Sequence, residues 1–187
     1  PLFEVRGGRV PARSLRRAVM VREERATSYD PTFALRVLVD IANKALSPGV
    51  NDPTTALQVI DRIQTLLEEL SRRALPAGVR RDGAGQVRFR RPVPTWDDMV
   101  ELGVAEIQHY GADSIQVARR VRALLFDLLD QAPPERRAAV RERLARLERA
   151  VADDIDDAGD RRLAAAAAWQ GMGLSRRVPP SDTSAGG

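Results

Sequence analysis

The chain lacks cysteine altogether and has one histidine, His109, among its 187 residues. The first absence excludes disulfide scaffolds, thiolate metal sites and cysteine nucleophiles. The second leaves no multi-histidine metal centre. Aromatic residues make up only 4% of the sequence against 43% apolar residues overall. A core rich in Ala and Leu with so few rings points to helices packed on helices. Lysine is nearly missing as well: Lys44 is the one lysine among 30 basic residues. Near-exclusive arginine beside abundant alanine reads as composition bias, so the net charge of +4 does not by itself imply nucleic-acid binding.

No run of about 18 apolar residues is present, so no segment reads as a membrane span. The first 25 residues carry Arg6, Arg9, Arg13, Arg16, Arg17, Arg22 and Arg25 without an apolar h-region between them. That pattern excludes a signal peptide. The chain opens on Pro1 with no methionine, and a piece of something longer is expected.

Residues 1–29 read as a β-containing N-terminal segment, with Leu2, Phe3 and Val5 before a Gly7-Gly8 turn and the short apolar run Ala18 to Val21. At Asp30-Pro31 a helix start appears, an N-cap followed by the residue best tolerated at the first helical position. The helix runs through Phe33, Leu35, Val37, Leu38, Val39, Ile41, Ala42, Ala45 and Leu46, apolar on nearly every face, and a central, buried position is expected for it. Ser47-Pro48-Gly49 ends it, with Gly49 expected to take the left-handed turn conformation. Asn51-Asp52-Pro53 restarts the chain as a second helix to about Arg73, burying Ala56, Ile60, Ile63, Leu67 and Leu70. So short a connection makes the two antiparallel.

A β-hairpin is expected near 79–91, its arms flanking Asp82-Gly83-Ala84-Gly85. Thr95, with Asp98 three residues on, starts a third helix that ends near Tyr110-Gly111. A fourth runs from Asp113 to Gln131. After Pro133-Pro134 comes the last and longest, with Val140, Leu144, Leu147, Val151, Ile155 and Ala158 at spacings near 3.5, a docked helix or a coiled-coil seam. The expected fold is therefore mainly α: a bundle of about five helices with a small N-terminal β-element and one hairpin. The helical domain spans 30–170, and the Gly, Pro and Ser content of 171–187 predicts a disordered tail.

Residues 30–56, DPTFALRVLVDIANKALSPGVNDPTTA, resemble the signature of a bacterial family of predicted membrane proteins, domain of unknown function 2254. The resemblance lies in Phe33, Arg36, Leu38, Val39, Asp40, Ile41 and Ala42, then in Ala45 to Gly49, Asn51, Asp52, Pro53, Thr55 and Ala56. It departs at Ala34, where glycine is usual, and at Val37, where a polar residue is common. Weaker similarity covers roughly residues 1 to 150. The resemblance implies transmembrane helices ahead of this region in the full-length protein. It places that protein in the bacterial cell membrane and makes this segment its soluble, cytoplasmic C-terminal part. It brings no activity with it.

The densest candidate site is the polar cluster Arg36, Asp40, Ser47, Asn51 and Asp52. One reading is architectural, with Asn51 and Asp52 tying off a turn and Arg36, Asp40 and Lys44 forming an i,i+4 charge stripe. The other is a site for an ion or small ligand, or a coupling point to the membrane part. Helix rise sets Asp40 roughly 9 Å from its helix end, which argues against one compact site with Asp52, and buried charge is usually matched within the fold. The architectural reading is preferred.

His109 has no nucleophile motif beside it and reads as a helix-terminal surface residue. Asp153, Asp154, Asp156, Asp157 and Asp160 do not follow the spacing of a calcium loop and suit a solvated helix face. Gly83-x-Gly85 and Gly171-x-Gly173 lack the setting of a dinucleotide loop and are turns. No catalytic residue, cofactor site or metal site is expected. Residues 71–91 carry seven arginines against Asp82, while 92–170 carry eleven against fifteen acids. The basic hairpin has three readings: a charged edge that discourages strand pairing, a contact with anionic lipid, and a nucleic-acid surface, the weakest because only Phe89 offers a stacking ring.

The functional expectation is a non-catalytic role in interaction, assembly or regulation of a membrane region. The last helix is a candidate seam between copies, and any small-molecule ligand is unknown. The alternative is a ligand- or ion-binding module, or an enzyme, using the polar cluster.

Overall fold

The structure is a computed structural model that describes residues 11–14, 30–111 and 113–166. The expected N-terminal β-element and the tail from 171 lie outside the described residues. In chain order from residue 30 the elements are helices α1 (Pro31–Leu46) and α2 (Pro53–Arg72), strands β1 (Val79–Arg81) and β2 (Val87–Arg90), then helices α3 (Trp96–Tyr110) and α4 (Ile115–Gln131). A 3-10 turn, Pro134–Arg136, leads to α5 (Arg137–Asp154) and the short α6 (Ala158–Ala165). The fold is mainly α with one antiparallel hairpin.

Local chemistry sets the helix starts. The Asp30 carboxylate accepts from the Thr32 and Phe33 amides at 3.0 and 3.3 Å, using amides that the first turn leaves without partners. Thr95 and Asp98 form a reciprocal capping box: the Asp98 amide donates to Thr95 Oγ1 at 3.2 Å and the Thr95 amide to Asp98 Oδ2 at 2.8 Å.

α1 packs on α2 and α3, α2 also on α4, and α4 on α5 and α6. Leu35, Ile60, Ile63, Leu67, Val104, Ile107, Leu124, Leu125, Leu128 and Leu147 sit at 0 or 1% exposure in one continuous core. Each such side chain contributes about 1.5–3 kcal/mol relative to an exposed one. The close meeting of α1, α2 and α3 depends on Gly103, where a Cβ would stand 3.2 Å from Leu67, 3.3 Å from Ile63 and 3.6 Å from Leu35.

Three expectations need correction. The central helix is α4, not α1: every residue from Val117 to Leu125 is buried. α1 instead lies at the rim, leaving Val37 and Ile41 36% and 45% exposed. Arginine explains why the apolar pattern misled. Arg119, Arg120 and Arg122 bury their stems in the middle of the bundle and carry their guanidinium groups to polar partners at its margin, so α4 looks polar in sequence and is not.

The last helix is two helices. α5 ends at Asp154, and Asp157 caps α6 by accepting from the Gly159 and Asp160 amides at 2.7 and 2.9 Å. Arg161 closes the break by donating to the Ile155 and Asp156 carbonyls at 2.8 and 2.9 Å. The unbroken 3.5-residue spacing through Ala158 hid a cap that outcompeted helix continuation. Val140, Leu147 and Val151 of α5 pack into the chain's own core.

The third correction concerns the turn after α1. Its left-handed residue is Asn51, at φ 48°, and not Gly49.

Candidate functional site

The α1–α2 turn is fixed by backbone hydrogen bonds. The Val50 and Asn51 amides both donate to the Ser47 carbonyl at 2.9 Å, and the Asp52 amide reaches back to the Ala45 carbonyl at 2.8 Å. Ser47 Oγ donates to the Lys44 carbonyl at 2.7 Å, adding to the Ser47 amide that reaches the same carbonyl at 3.3 Å. Asn51 takes the left-handed conformation that asparagine tolerates better than most residues. Asp52 caps α2: its carboxylate accepts from the Thr55 amide at 3.1 Å and the Thr55 hydroxyl at 2.5 Å. These hydrogen bonds, with Thr55's hydroxyl foremost, hold the Asp52 carboxyl below the usual aspartate range.

Arg36 and Asp40 belong to a different constellation, on the side of α1 that meets α3. Arg36 grips Glu106 of α3 with both terminal nitrogens, Nη1 to Oε1 at 2.5 Å and Nη2 to Oε2 at 2.8 Å. This is the fork-to-fork geometry that favours arginine over lysine. Its Nε donates to Asp40 Oδ1 at 2.9 Å, and Asn43 Nδ2 donates to Glu106 Oε2 at 2.8 Å. The Arg36 guanidinium is thereby raised above its ordinary range, chiefly by Glu106 and then by Asp40. The same pairing holds the Glu106 carboxyl below the glutamate range. Asn43 Oδ1 is buried and has no hydrogen-bond partner among the described residues.

The five candidate residues therefore divide. Arg36 and Asp40 meet each other and bolt α1 to α3, whereas Ser47, Asn51 and Asp52 make their contacts inside the turn. Sequence reasoning missed Glu106 and Asn43. Asn43 was legible as a polar residue one turn beyond Asp40; Glu106, 70 positions from Arg36, was not.

A second polar seam joins α2 and α4. Arg120 donates to Asp61 at 2.6 Å and to Gln64 at 2.5 Å. Gln64 in turn donates to Glu68 and to Asp127 at 2.6 and 2.8 Å. Burial pushes the Asp127 carboxyl above its ordinary range, against the opposing pull of Gln64 and Arg120. Arg143 of α5 pairs with Glu101 of α3, and Arg122 of α4 with Glu148 of α5 at 3.0 Å. Between α3 and the start of α5, Arg136 lies over the Trp96 ring, its guanidinium carbon 5.6 Å from the ring centre. The Trp96 indole donates to the Arg136 carbonyl at 2.8 Å, while Arg136 donates to the Leu70 and Arg73 carbonyls at the end of α2. His109 is exposed at the end of α3, edge-on to Tyr110.

These arrangements define a helical assembly in which arginine-centred contacts join neighbouring helices. Residues 1–127 match the family described as "Predicted membrane protein (DUF2254)", and the chain belongs to that family. It is also similar to uncharacterized proteins of Mycobacterium bovis and of two strains of Mycobacterium tuberculosis, each 36% identical over 182 residues. Those matches cover 95% of this chain and 35% of each relative, so the chain spans about a third of the length of the curated relatives it matches. No solved structure matches the chain. Among the described residues, no helix is long and apolar enough to cross a membrane.

Proposed function

We propose that this chain is the water-exposed, cytoplasmic part of a longer membrane protein, and that it acts in assembly or regulation by docking the outer face of α1 against the membrane region. The observation that carries this reading is the exposed apolar face of α1. Val37 and Ile41 stand one helical turn apart, followed by the 52% exposed Val50 in the turn. Isolated exposed apolar residues are ordinary, whereas a pair in helical register on a rim helix supports the docking reading. The length of the relatives supplies room for the partner. The arginine-rich stretch 71–91 supports the cytoplasmic side, where basic segments of membrane proteins concentrate. Arg36 is already engaged by Glu106 and Asp40, which supports a structural rather than a chemical role.

This stretch carries no cysteine, so with any cysteine elsewhere in the protein replaced, introduced thiols report position. In the full-length protein, Ile41→Cys should crosslink to single cysteines placed in the membrane region. It should also be shielded from a thiol reagent supplied from the cytoplasmic side, whereas Arg80→Cys should label freely. Rapid labelling at position 41 without crosslinks would sink the docking reading, and crosslinks between two copies would reassign the face to self-association.

One observation favours a second reading, a small ligand at the α1–α3 seam: the Asn43 oxygen left without a partner beside Glu106. Asp40→Asn separates the two. Unchanged melting with a lost ligand response supports a site, and simple destabilisation supports architecture.

A further inference from the structure

The hairpin presents a second surface, of different chemistry. From Val79 to Arg91 only Val79, Asp82 and Val87 are partly covered, and the other side chains are exposed. Five of these thirteen residues are arginine and one is acidic. Asp82 is spent on the turn: its carboxylate accepts from the Ala84 and Gln86 amides, each at 3.0 Å, and from Arg88 Nε at 2.6 Å. Arg81 donates to the Gly85 carbonyl at 2.8 Å. Arg80, Arg90 and Arg91 have no carboxylate partner among the described residues.

The strand register sorts the remainder. Arg80 pairs with Phe89 and Val79 with Arg90, and directly opposed residues of an antiparallel pair project from the same face. Phe89, 41% exposed, therefore shares its face with Arg80, and by the two-residue period with Arg91. An edge that merely repels other strands needs charge and has no use for an exposed phenylalanine among the charges. A surface that meets lipid needs both, cations for the headgroup phosphates and an apolar ring for the interfacial layer. Single-stranded nucleic acid is bound on several stacking rings, and this face has one.

We infer that the 79–91 hairpin is a lipid-contact element, in which Arg80 and Arg91 bind anionic headgroups while Phe89, on the same face, enters the interface between headgroups and acyl chains. This goes beyond the docking role proposed for α1 and does not depend on it, because it concerns the bilayer and not a partner polypeptide.

The test is sedimentation of the full 187-residue chain with vesicles of phosphatidylcholine alone and of phosphatidylcholine with phosphatidylserine. Binding is expected to the second composition only, and to fall as salt rises. The double variant Arg80→Gln, Arg91→Gln should weaken it about thirtyfold, from two charges near the surface. Phe89→Ala should weaken it roughly tenfold. All three positions are exposed, and unchanged circular dichroism and melting would show that the variants fold. Equal binding to neutral vesicles, or full binding by the double variant, overturns the inference, and full binding by Phe89→Ala removes ring insertion. Tighter binding to a single-stranded RNA oligonucleotide than to the anionic vesicles reassigns the surface to nucleic acid.

Discussion

At the scale of single residues, two carboxylates with opposite displacements carry opposite consequences for stability. Glu106 is stabilised as the anion by Arg36, so its contribution is complete above the ordinary glutamate range and is lost as pH falls through its depressed value. Asp127 is raised by burial, so its ionisation weakens the fold at neutral pH and the penalty disappears on acidification. Asp127→Asn is therefore expected to raise the urea midpoint at pH 7, with the gain vanishing below about pH 3.5, the ordinary aspartate range. Glu106→Gln should lower the midpoint at pH 7, and this difference too should shrink in acid. A pH series of urea melts on both variants measures this, and a loss of stability in Asp127→Asn at neutral pH would contradict the burial account.

Arginine is where residue-level reading fell shortest. Arg119, Arg120, Arg122 and Arg143 look like solvated charges in sequence, yet each is less than a tenth exposed. Their partners, Asp61 and Gln64 for Arg120, Glu148 for Arg122, and Glu101 for Arg143, lie on other helices. A guanidinium on a long aliphatic stem can serve the core and the margin at once, and nothing local in the sequence tells which stems will be covered.

At the scale of elements, helix ends were largely legible because caps are local chemistry. Asp30-Pro31, Asp52-Pro53 and Thr95 with Asp98 begin helices where expected, and the hairpin falls on Val79–Arg81 and Val87–Arg90. Asn51 was visible as a turn residue but not as the one in left-handed geometry, because Pro48-Gly49 offers a stronger sequence signal. Asn51→Gly is expected to leave stability within a few tenths of a kcal/mol of the parent, whereas Asn51→Val should cost about 1–3 kcal/mol from backbone strain. Thermal melts of the two variants decide it. Equal stability would mean that the turn relaxes to another conformation.

For the molecule as a whole, Gly103 marks a close junction of α1, α2 and α3. Gly103→Val adds two methyl groups beyond a Cβ that already meets Leu67 and Ile63 at 3.2 and 3.3 Å. The core must open, at a cost of about 1–3 kcal/mol. For a chain of this size that lowers Tm by roughly 2–12 °C. The loss should be global, seen alike by circular dichroism and by the fluorescence of Trp96 in a Trp169→Phe background, because three helices share the contact. A variant that melts with the parent would show that the junction is looser than its distances.

The sequence by itself determined that the chain is a helical bundle, where most of its helices begin, and which family signature it carries in 30–56. Those properties follow from periodicity, capping and a contiguous motif, all of them short-range. Only the tertiary structure decided that α4 rather than α1 is the hub, that Arg36 spends itself on Glu106 while Asp52 caps a helix, and that Phe89 stands exposed on one face with Arg80. Each of these turns on which distant residue occupies the space facing a side chain, and that is set by the docking of whole helices and strands.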